Sequence, residues 1–293
     1  MKLQTTVDIA PSEWKIGYED KILLLGSCFS DEIGEQMQQR YLPVTCNPFG
    51  TLYNPLSIAQ ALQQTEVPPL VEWDGLFHAM THHGAFSRAT KDEAENAVRA
   101  SIETMQRALS EATVVIVTFG TAWVYEEERT DHTWSVVGNC HKLPADHFRR
   151  RRLSVEEIVA AWQPIIARYP DKHWLFTVSP IRHIKDGLHE NQLSKATLLL
   201  AIERLTAEGG LTVKRSNSEA VQQAKPVYFP SYEILLDELR DYRFYADDLV
   251  HPSSLAVNYI WERFVDTFCT NQTKNELVLQ HKRWKHEHHI PLH

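Results

Sequence analysis

The sequence predicts a three-layer α/β/α sandwich with a central parallel sheet of about five strands. Three observations predict it: short apolar runs, amphipathic segments of helical length between them, and irregular polar loops that follow the runs. Strands buried on both faces are continuously apolar, and their alternation with helices favours a parallel sheet covered on both sides. Because ligands of such sheets bind at the carboxyl ends of the strands, we expect the site among these loops.

The five strands are predicted from composition and length. Residues 113–119 are the clearest, because six of the seven are β-branched and the last is aromatic. The other predicted strands are residues 21–26, 42–46, 173–178 and 226–229.

Helical periodicity fills the intervals between the strands. Ile33, Met37 and Tyr41 share one face of a helix, with Ser30 or Asp31 placed to cap it. Further helices are predicted over residues 56–64, 91–110, 191–208 and 254–268, and from residue 154 onward. Two glycines at residues 209–210 are predicted to end the helix over residues 191–208.

Length and patterning indicate one catalytic domain over residues 1–293. Residues 65–90 lack clear periodicity, and residues 125–150 begin with a hairpin-like stretch over 125–138. We expect both regions to be insertions. The His-rich tail, residues 281–293, is assigned no function.

The formal net charge of −8 argues against a nucleic-acid partner, which requires a positive surface. The one strongly basic block, residues 149–152, is interpreted as a solvated loop before a helix in preference to an anion clamp. No signal peptide or membrane-length apolar run is found, so we expect a cytoplasmic protein with no membrane partner. The sequence sets no oligomeric state.

The four cysteines, Cys28, Cys46, Cys140 and Cys269, are scattered without CxxC spacing. Free thiols are therefore expected, with no metal site. The chain also lacks the GxSxG, GxGxxG, P-loop and HExxH patterns, so we expect neither a standard α/β-hydrolase nor a bound cofactor.

Cys28 follows the first strand, where a helix begins. A helix N-terminus stabilises negative charge, so this position favours a nucleophilic thiolate. The alternative is that Cys28 is a small buried residue, as free cysteines often are.

Asp248 and His251 form a DxxH pattern just before the last predicted helix. A carboxylate three residues before a histidine can fix the tautomer of the imidazole and stabilise its protonated form. The alternative is an ordinary capping loop.

Six segments in order along the chain carry a family resemblance: GSCFS, NPFGTLYNP, TFGTAWVY, GNCHKLP, SPIRH and DDLVHPS. Together they resemble the bacterial GSCFA family over roughly residues 20–265. The first and last segments are also similar to the terminal blocks of the SGNH (GDSL-type) esterases.

The SGNH resemblance implies roles for particular residues. Cys28 occupies the place of the nucleophile, Ser27 replaces the usual aspartate, and the DxxH pair supplies base and orienting acid. Gly50 corresponds to the second-block glycine, whose N–H would bind the oxyanion together with that of Cys28. The third block departs from the pattern, because Gly120 and Thr121 stand where Gly-x-Asn-Asp is usual. Asn54, Asn139 or the Thr121 hydroxyl are candidates for the missing donor.

Several loop residues are further candidates for binding substrate. His83, His141 and His183 follow or lie in loops of the same sheet edge, although a structural role is the simpler interpretation for each. Arg182 follows a strand end and could bind an anionic group. Trp73, Phe77 and Trp123 are interpreted either as pocket walls or as core.

These residues predict a hydrolase or acyltransferase that acts on an ester or thioester, such as an acylated glycan or small metabolite. Two alternatives stay open. Ser27 could be the nucleophile, with Cys28 packed inward. The chain could instead be a non-catalytic ligand- or glycan-binding module on a degenerate SGNH scaffold.

Overall fold

The computed structural model describes residues 4–129, 131–207, 212–214, 220–222 and 224–288. Two predictions concern residues outside these ranges: the glycines at residues 209–210, predicted to end a helix, and the last five residues of the His-rich tail. The strands are β1 Ile22–Gly26, β2 Val44–Cys46, β3 Leu70–Trp73, β4 Leu76–Ala79, β5 Val114–Phe119, β6 Trp123–Glu128, β7 Trp134–Val136, β8 Phe148–Arg152, β9 His173–Val178, β10 Thr212–Lys214, β11 Ala220–Gln222 and β12 Val227–Phe229.

Except for α7, which was not predicted, the described helices agree closely with the sequence periodicity. They are α1 Cys28–Gln38, α2 Pro55–Gln63, α3 Lys91–Glu111, α4 Val155–Arg168, α5 Leu188–Ala207, α6 Ser254–Phe268 and α7 Asn271–Glu287. Short 3₁₀ turns and one helical segment that widens into a π-helix complete the described elements: Gly84–Phe86, Ala145–His147, Ile184–Asp186, Tyr242–Phe244, Ser231–Glu233 and Ile234–Leu239.

Five strands form one parallel sheet in the order β12-β9-β5-β1-β2. Between β2 and β5, Leu24 of β1 is aligned with Cys46 on one side and Ile116 on the other. The predicted fold class, a three-layer sandwich on a parallel sheet of about five strands, is confirmed.

Successive residues of β1 face opposite layers of the sandwich. Leu23 and Leu25 pack into a core formed with α2, α3, α4 and α5. Ile22 and Leu24 pack into a second core formed with α1 and α6. This period-two alternation between two apolar layers explains why β1 is apolar at every position.

Helix α1 begins earlier than predicted. Ser27 is extended, with φ −70° and ψ 173°, and Cys28 is already the first helical residue. The expected cap at Ser30 or Asp31 is therefore wrong, because both residues lie inside the first turn. The consequence is that the cysteine stands at the very N-terminus of the helix.

The two predicted insertion regions contain small antiparallel sheets. Strands β3 and β4 form a hairpin, and β6 pairs with both β7 and β8. The basic block at residues 149–152 is part of strand β8, so its interpretation as a solvated loop was wrong. The block is ordered because Arg149 and Arg151 both pair with the buried carboxylate of Glu126 on β6.

The chain leaves β1 toward β2 on one side and later returns through β5 on the other side. The strand order therefore reverses between β1 and β5, and a crevice opens at the carboxyl ends of these two strands. None of the helices in the described part of the chain is long and apolar enough to cross a membrane.

Candidate active site

The turn after β1 depends on a glycine. Gly26 has φ +137°, and a Cβ added there would lie 2.2 Å from the carbonyl oxygen of Thr118 on β5. Only glycine allows this backbone conformation and this close approach. The turn ends β1 beside β5 and places Cys28 at the switch point of the sheet.

Cys28, His251 and Asp248 are brought together across 220 residues of chain. The Sγ of Cys28 lies 3.6 Å from Nε2 of His251. On the other side of the ring, Nδ1 lies 2.6 Å from Oδ2 of Asp248. An imidazole held between a carboxylate and a thiol can take a proton from sulfur while the carboxylate stabilises the positive ring.

The turn that carries this histidine is held by its own aspartate. Oδ1 of Asp248 accepts the backbone N–H groups of Val250 at 2.9 Å and His251 at 3.0 Å. Leu249, between them, has a left-handed conformation with φ 57°. These N–H groups and the bond to the His251 ring lower the pKa of Asp248 to about 2. The aspartate is therefore ionised at neutral pH and holds the ring in one tautomer.

The environment of Cys28 does not favour a resting thiolate. Burial raises the pKa of the Cys28 thiol, and the charges of Asp31 and Glu32 raise it further. The N–H groups of Cys28 and Phe29 at the helix start act in the opposite direction but are outweighed. The thiolate that the sequence predicted at this helix N-terminus is therefore not favoured, because burial outweighs the N–H groups.

Ser27 points away from the cleft. It is only 1% exposed, and its Oγ is buried without a hydrogen-bond partner. Its Cβ packs against Gly120, where an added side chain would lie 3.3 Å away. The strand-to-helix turn thus directs Cys28, and not Ser27, to His251.

The loop after β2 is tied to the turn after β1. Asn47 accepts the N–H of Gly26 at 2.8 Å and donates to Asp31 at 2.7 Å. The N–H of Gly50 donates to the Asn47 carbonyl at 2.7 Å, so the predicted oxyanion donor is already occupied. Gly50 is needed for another reason: it has φ +76°, and an added Cβ would lie 2.3 Å from Cβ of His83.

Two other candidate oxyanion donors also have structural partners. The amide of Asn54 donates to Ser57 Oγ at 2.8 Å and its oxygen caps α2. The Thr121 hydroxyl lies 3.1 Å from Ser194 Oγ. The N–H groups of Gly120 and Thr121 both donate to the Tyr53 carbonyl. These bonds make the residues part of the wall of the site, and they occupy one of the two amide N–H donors of Asn54.

A cavity of about 600 Å³ opens beside Cys28 and His251. Its lining brings together several residues predicted from the sequence, among them Asn54, Thr121, Trp123, Asn139, Arg182 and His183. Asn139 accepts the N–H of His141 through Oδ1, which leaves its amide nitrogen as a possible donor.

Other predicted residues serve the structure outside this lining. His141 bonds the Ala79 carbonyl at 3.0 Å, and burial lowers its pKa to about 4. His83 accepts the N–H of Ala85 at the start of a 3₁₀ turn. Trp73 and Phe77 belong to the β3–β4 hairpin. The structural interpretation therefore fits these four residues.

His183 lines the cavity as a neutral ring. Burial, followed by the charge of Lys195, lowers its pKa to about 3. Its Nε2 is buried without a hydrogen-bond partner, and the ring meets Tyr53 edge-on at 6.2 Å. His183 is therefore uncharged at neutral pH.

Sequence reasoning missed a buried lysine below the site. Lys195 is 1% exposed, and its Nζ donates to the carbonyls of Gly120 and Ser179, each at 2.7 Å. It thereby joins the ends of β5 and β9. Burial lowers its pKa to about 7. The available signal was a lysine on the same helix face as Leu198 and Ile202, which are apolar.

Sequence reasoning also missed Arg150, which lines the cavity from β8. Its guanidinium carbon lies 4.0 Å from the ring centroid of Trp123, and it forms an ion pair with Asp186. This contact joins the insertion sheet to the loop after β9. In the part of the chain that the structure describes, no group of three or more His, Cys, Asp or Glu side chains is arranged to hold a metal ion.

The fold and the site define an α/β protein with a cysteine, a histidine and an aspartate aligned at the strand ends. The family model described as "GSCFA family" matches residues 21–264. The chain therefore belongs to the GSCFA family. No curated protein and no solved structure matches the sequence.

Proposed function

We propose that the protein is a cysteine-dependent acyl hydrolase or acyltransferase that acts on an ester or thioester. The observation that carries the proposal is the aligned set at one cavity: Cys28 Sγ 3.6 Å from His251 Nε2, and Nδ1 2.6 Å from Asp248. The similarity of the first and last sequence motifs to SGNH esterases supports the same assignment of roles.

The chemistry follows from these contacts. His251 removes the thiol proton as Cys28 Sγ attacks the acyl carbon, and Asp248 stabilises the imidazolium that forms. The leaving alkoxide or thiolate takes that proton as the carbon–oxygen or carbon–sulfur bond breaks, which leaves a thioester on Cys28. Water or another acceptor, deprotonated by His251, then attacks the thioester and releases the thiol.

Base activation fits the environment of the thiol better than a resting ion pair does. Burial raises the pKa of Cys28, so an uncatalysed thiolate is scarce at neutral pH. The free N–H groups at the start of α1 and the amide of Asn139 are the candidate donors to the oxyanion.

A trapping experiment tests this proposal. The protein is mixed with p-nitrophenyl acetate, quenched in acid and digested, and the acetylated residue is located by mass spectrometry. We expect acetyl-Cys28 in the parent protein and a strong loss of it in His251→Ala. Acetylation at Ser27, or Cys28 acetylation that is indifferent to His251, would contradict the proposal.

A second candidate function is a ligand- or glycan-binding module without turnover. Its support is that Gly50, Asn54 and Thr121, the candidate oxyanion donors, all make hydrogen bonds within the fold. This candidate predicts that His251→Ala binds ligand as well as the parent does, and that no acyl group accumulates on Cys28.

A further inference from the structure

The cavity beside Cys28 is positively charged, although the whole chain carries a formal net charge of −8. Arg150, Arg182 and Lys185 line it together with one carboxylate, Asp186. Asp186 is paired with Arg150. Among the described residues, Arg182 and Lys185 have no carboxylate partner. The local excess of positive charge would concentrate anions at this opening.

Arg182 is held in place by the loop that carries His251. Its Nη1 donates to the Leu249 carbonyl at 3.1 Å. Its guanidinium carbon lies 5.4 Å from the ring centroid of Tyr245 and 5.8 Å from that of Tyr242. A guanidinium has five N–H donors, so several stay available for a ligand.

Arg150 is held from the opposite wall. Its guanidinium packs over Trp123, and Nη2 makes the bond to Asp186. The remaining nitrogens of the planar fork are suited to a planar or tetrahedral oxyanion. Lys185, exposed on the neighbouring 3₁₀ turn, adds a further positive charge at the rim.

Hydrogen-bond donors therefore exceed acceptors on the side chains that line this cavity. The Asn139 oxygen already accepts from His141, and Asp186 is engaged by Arg150. A neutral sugar presents hydroxyl groups that need acceptors as well as donors. A group with several acceptor oxygens and a negative charge fits these walls better.

We propose that this cavity binds an oxyanion of the acyl substrate, a phosphate or a carboxylate, through Arg182, Lys185 and Arg150. The substrate class is thus an ester or thioester that carries an anionic group near the reacting carbonyl. The inference rests on the proposed function of Cys28, whose acyl substrate it specifies.

Two alkylating reagents of similar size test the subsite without a known substrate. Iodoacetate is anionic and iodoacetamide is neutral, and both react with Cys28 by the same displacement of iodide. The quantity measured is the ratio of their rates at Cys28, by peptide mapping, relative to the same ratio for N-acetylcysteine amide. We expect the rate ratio of iodoacetate to iodoacetamide to be about fivefold higher at Cys28 than for the free thiol, as for a weakly screened charge pair. This preference should fall with added salt.

The double variant Arg182→Gln/Lys185→Gln is expected to remove the preference for iodoacetate. Arg99→Gln/Arg107→Gln is the matched control, because it removes two exposed positive charges from α3, outside the cavity lining. The subsite is contradicted if Cys28 shows no preference over the free thiol, or if Arg99→Gln/Arg107→Gln abolishes the preference equally.

This design separates the two proposals. His251→Ala slows both reagents together if the proposed base is correct, and the rate ratio is unchanged. A failure of the base proposal appears as rates that do not respond to His251, whereas a failure of the subsite appears in the ratio alone.

Protection of Cys28 distinguishes the two oxyanions. Inorganic phosphate or succinate is added during iodoacetamide treatment of the parent protein. Protection at lower concentrations of phosphate assigns a phosphorylated substrate, and the reverse order assigns a carboxylate. Protection by neither, or protection that persists in the Arg182→Gln/Lys185→Gln variant, overturns the subsite.

Discussion

Two cysteines, Cys28 and Cys140, line the same cavity in different surroundings. Cys28 stands at the start of α1, 3.6 Å from His251 Nε2. Cys140 lies in the loop after β7, next to Asn139. Burial raises the thiol pKa of both, that of Cys140 to about 11.

Because both cysteines line the cavity, access to it does not distinguish Cys28 from Cys140. Burial disfavours the thiolate at both positions, and the helix N-terminus does not reverse this at Cys28. The imidazole at Cys28, oriented by Asp248, is the feature that Cys140 lacks. Cys140 thus serves as an internal control for every measurement on Cys28.

Removal of each thiol in turn is expected to give the largest difference between the two cysteines. Cys28→Ala is expected to lower turnover of p-nitrophenyl acetate by about 10³-fold or more, because the nucleophile is lost. Cys140→Ala is expected to stay within about twofold of the parent. Initial rates of p-nitrophenolate release measure both. Equal losses of rate in the two variants would mean that a position in the cavity lining, and not proximity to His251, determines which cysteine reacts.

The orienting carboxylate gives the next largest effect. Asp248→Asn is expected to slow Cys28 acylation by about 10²-fold, because the ring loses its ionised partner and its fixed tautomer. Iodoacetamide labelling of Cys140 in the same sample provides the reference. An unchanged ratio of Cys28 to Cys140 labelling would show that Asp248 only shapes the turn.

Two buried lysines at opposite ends of the sheet test whether local support of the site wall affects Cys28. Lys195→Met leaves two carbonyls at the site without their donor and is expected to cost about 2–4 kcal/mol of stability. Lys172 is also buried, and its Nζ donates to the Ala112 carbonyl at 2.7 Å, at the amino ends of β5 and β9. Lys195 supports the wall of the site at Gly120. We therefore expect Lys195→Met to lower the Cys28-to-Cys140 labelling ratio about tenfold.

Lys172→Met is the control for that experiment. It is expected to lose stability in urea unfolding and to leave the labelling ratio at its parent value. A similar fall of the ratio in both lysine variants would mean that general loss of stability, and not the local support, controls Cys28.

The smallest expected effect concerns the turn that carries His251. Leu249 is about half exposed and has φ 57°, a conformation that costs about 1 kcal/mol for a residue other than glycine. Leu249→Gly is expected to raise the free energy of unfolding by about 0.5–1 kcal/mol, whereas Leu249→Ala keeps the strain. Denaturant unfolding of the two variants measures this, and a loss of stability in Leu249→Gly would show that the side chain contributes more than the strain.

The fold could be predicted because buried parallel strands leave a plain apolar signature, as in residues 113–119. Cys28, Asp248 and His251 could be predicted because each lies in a short motif at the end of an element. The prediction that the Gly50 N–H is a free oxyanion donor was wrong. Whether an N–H is free depends on loop geometry, and here the turn directs it to the Asn47 carbonyl.

Two further residues could not be predicted because their roles arise from tertiary contacts. Lys195 is buried only because carbonyls from two strand ends accept its hydrogen bonds. Arg150 reaches the cavity only because residues 149–152 pair with β6 as a strand. A basic run carries no sign of such pairing when it is viewed alone.

We attribute the reactivity of Cys28 to His251 and not to its position at the helix N-terminus. The most direct test is the pH dependence of iodoacetamide labelling at Cys28 and Cys140, in the parent and in His251→Ala. In the parent, we expect Cys28 to react near neutral pH, because the base takes the proton, while Cys140 reacts only in alkaline solution. In His251→Ala, burial keeps the pKa of Cys28 raised, so its profile should move above that of a free thiol, in the same direction as that of Cys140. A Cys28 profile that does not move on loss of His251 would contradict the account.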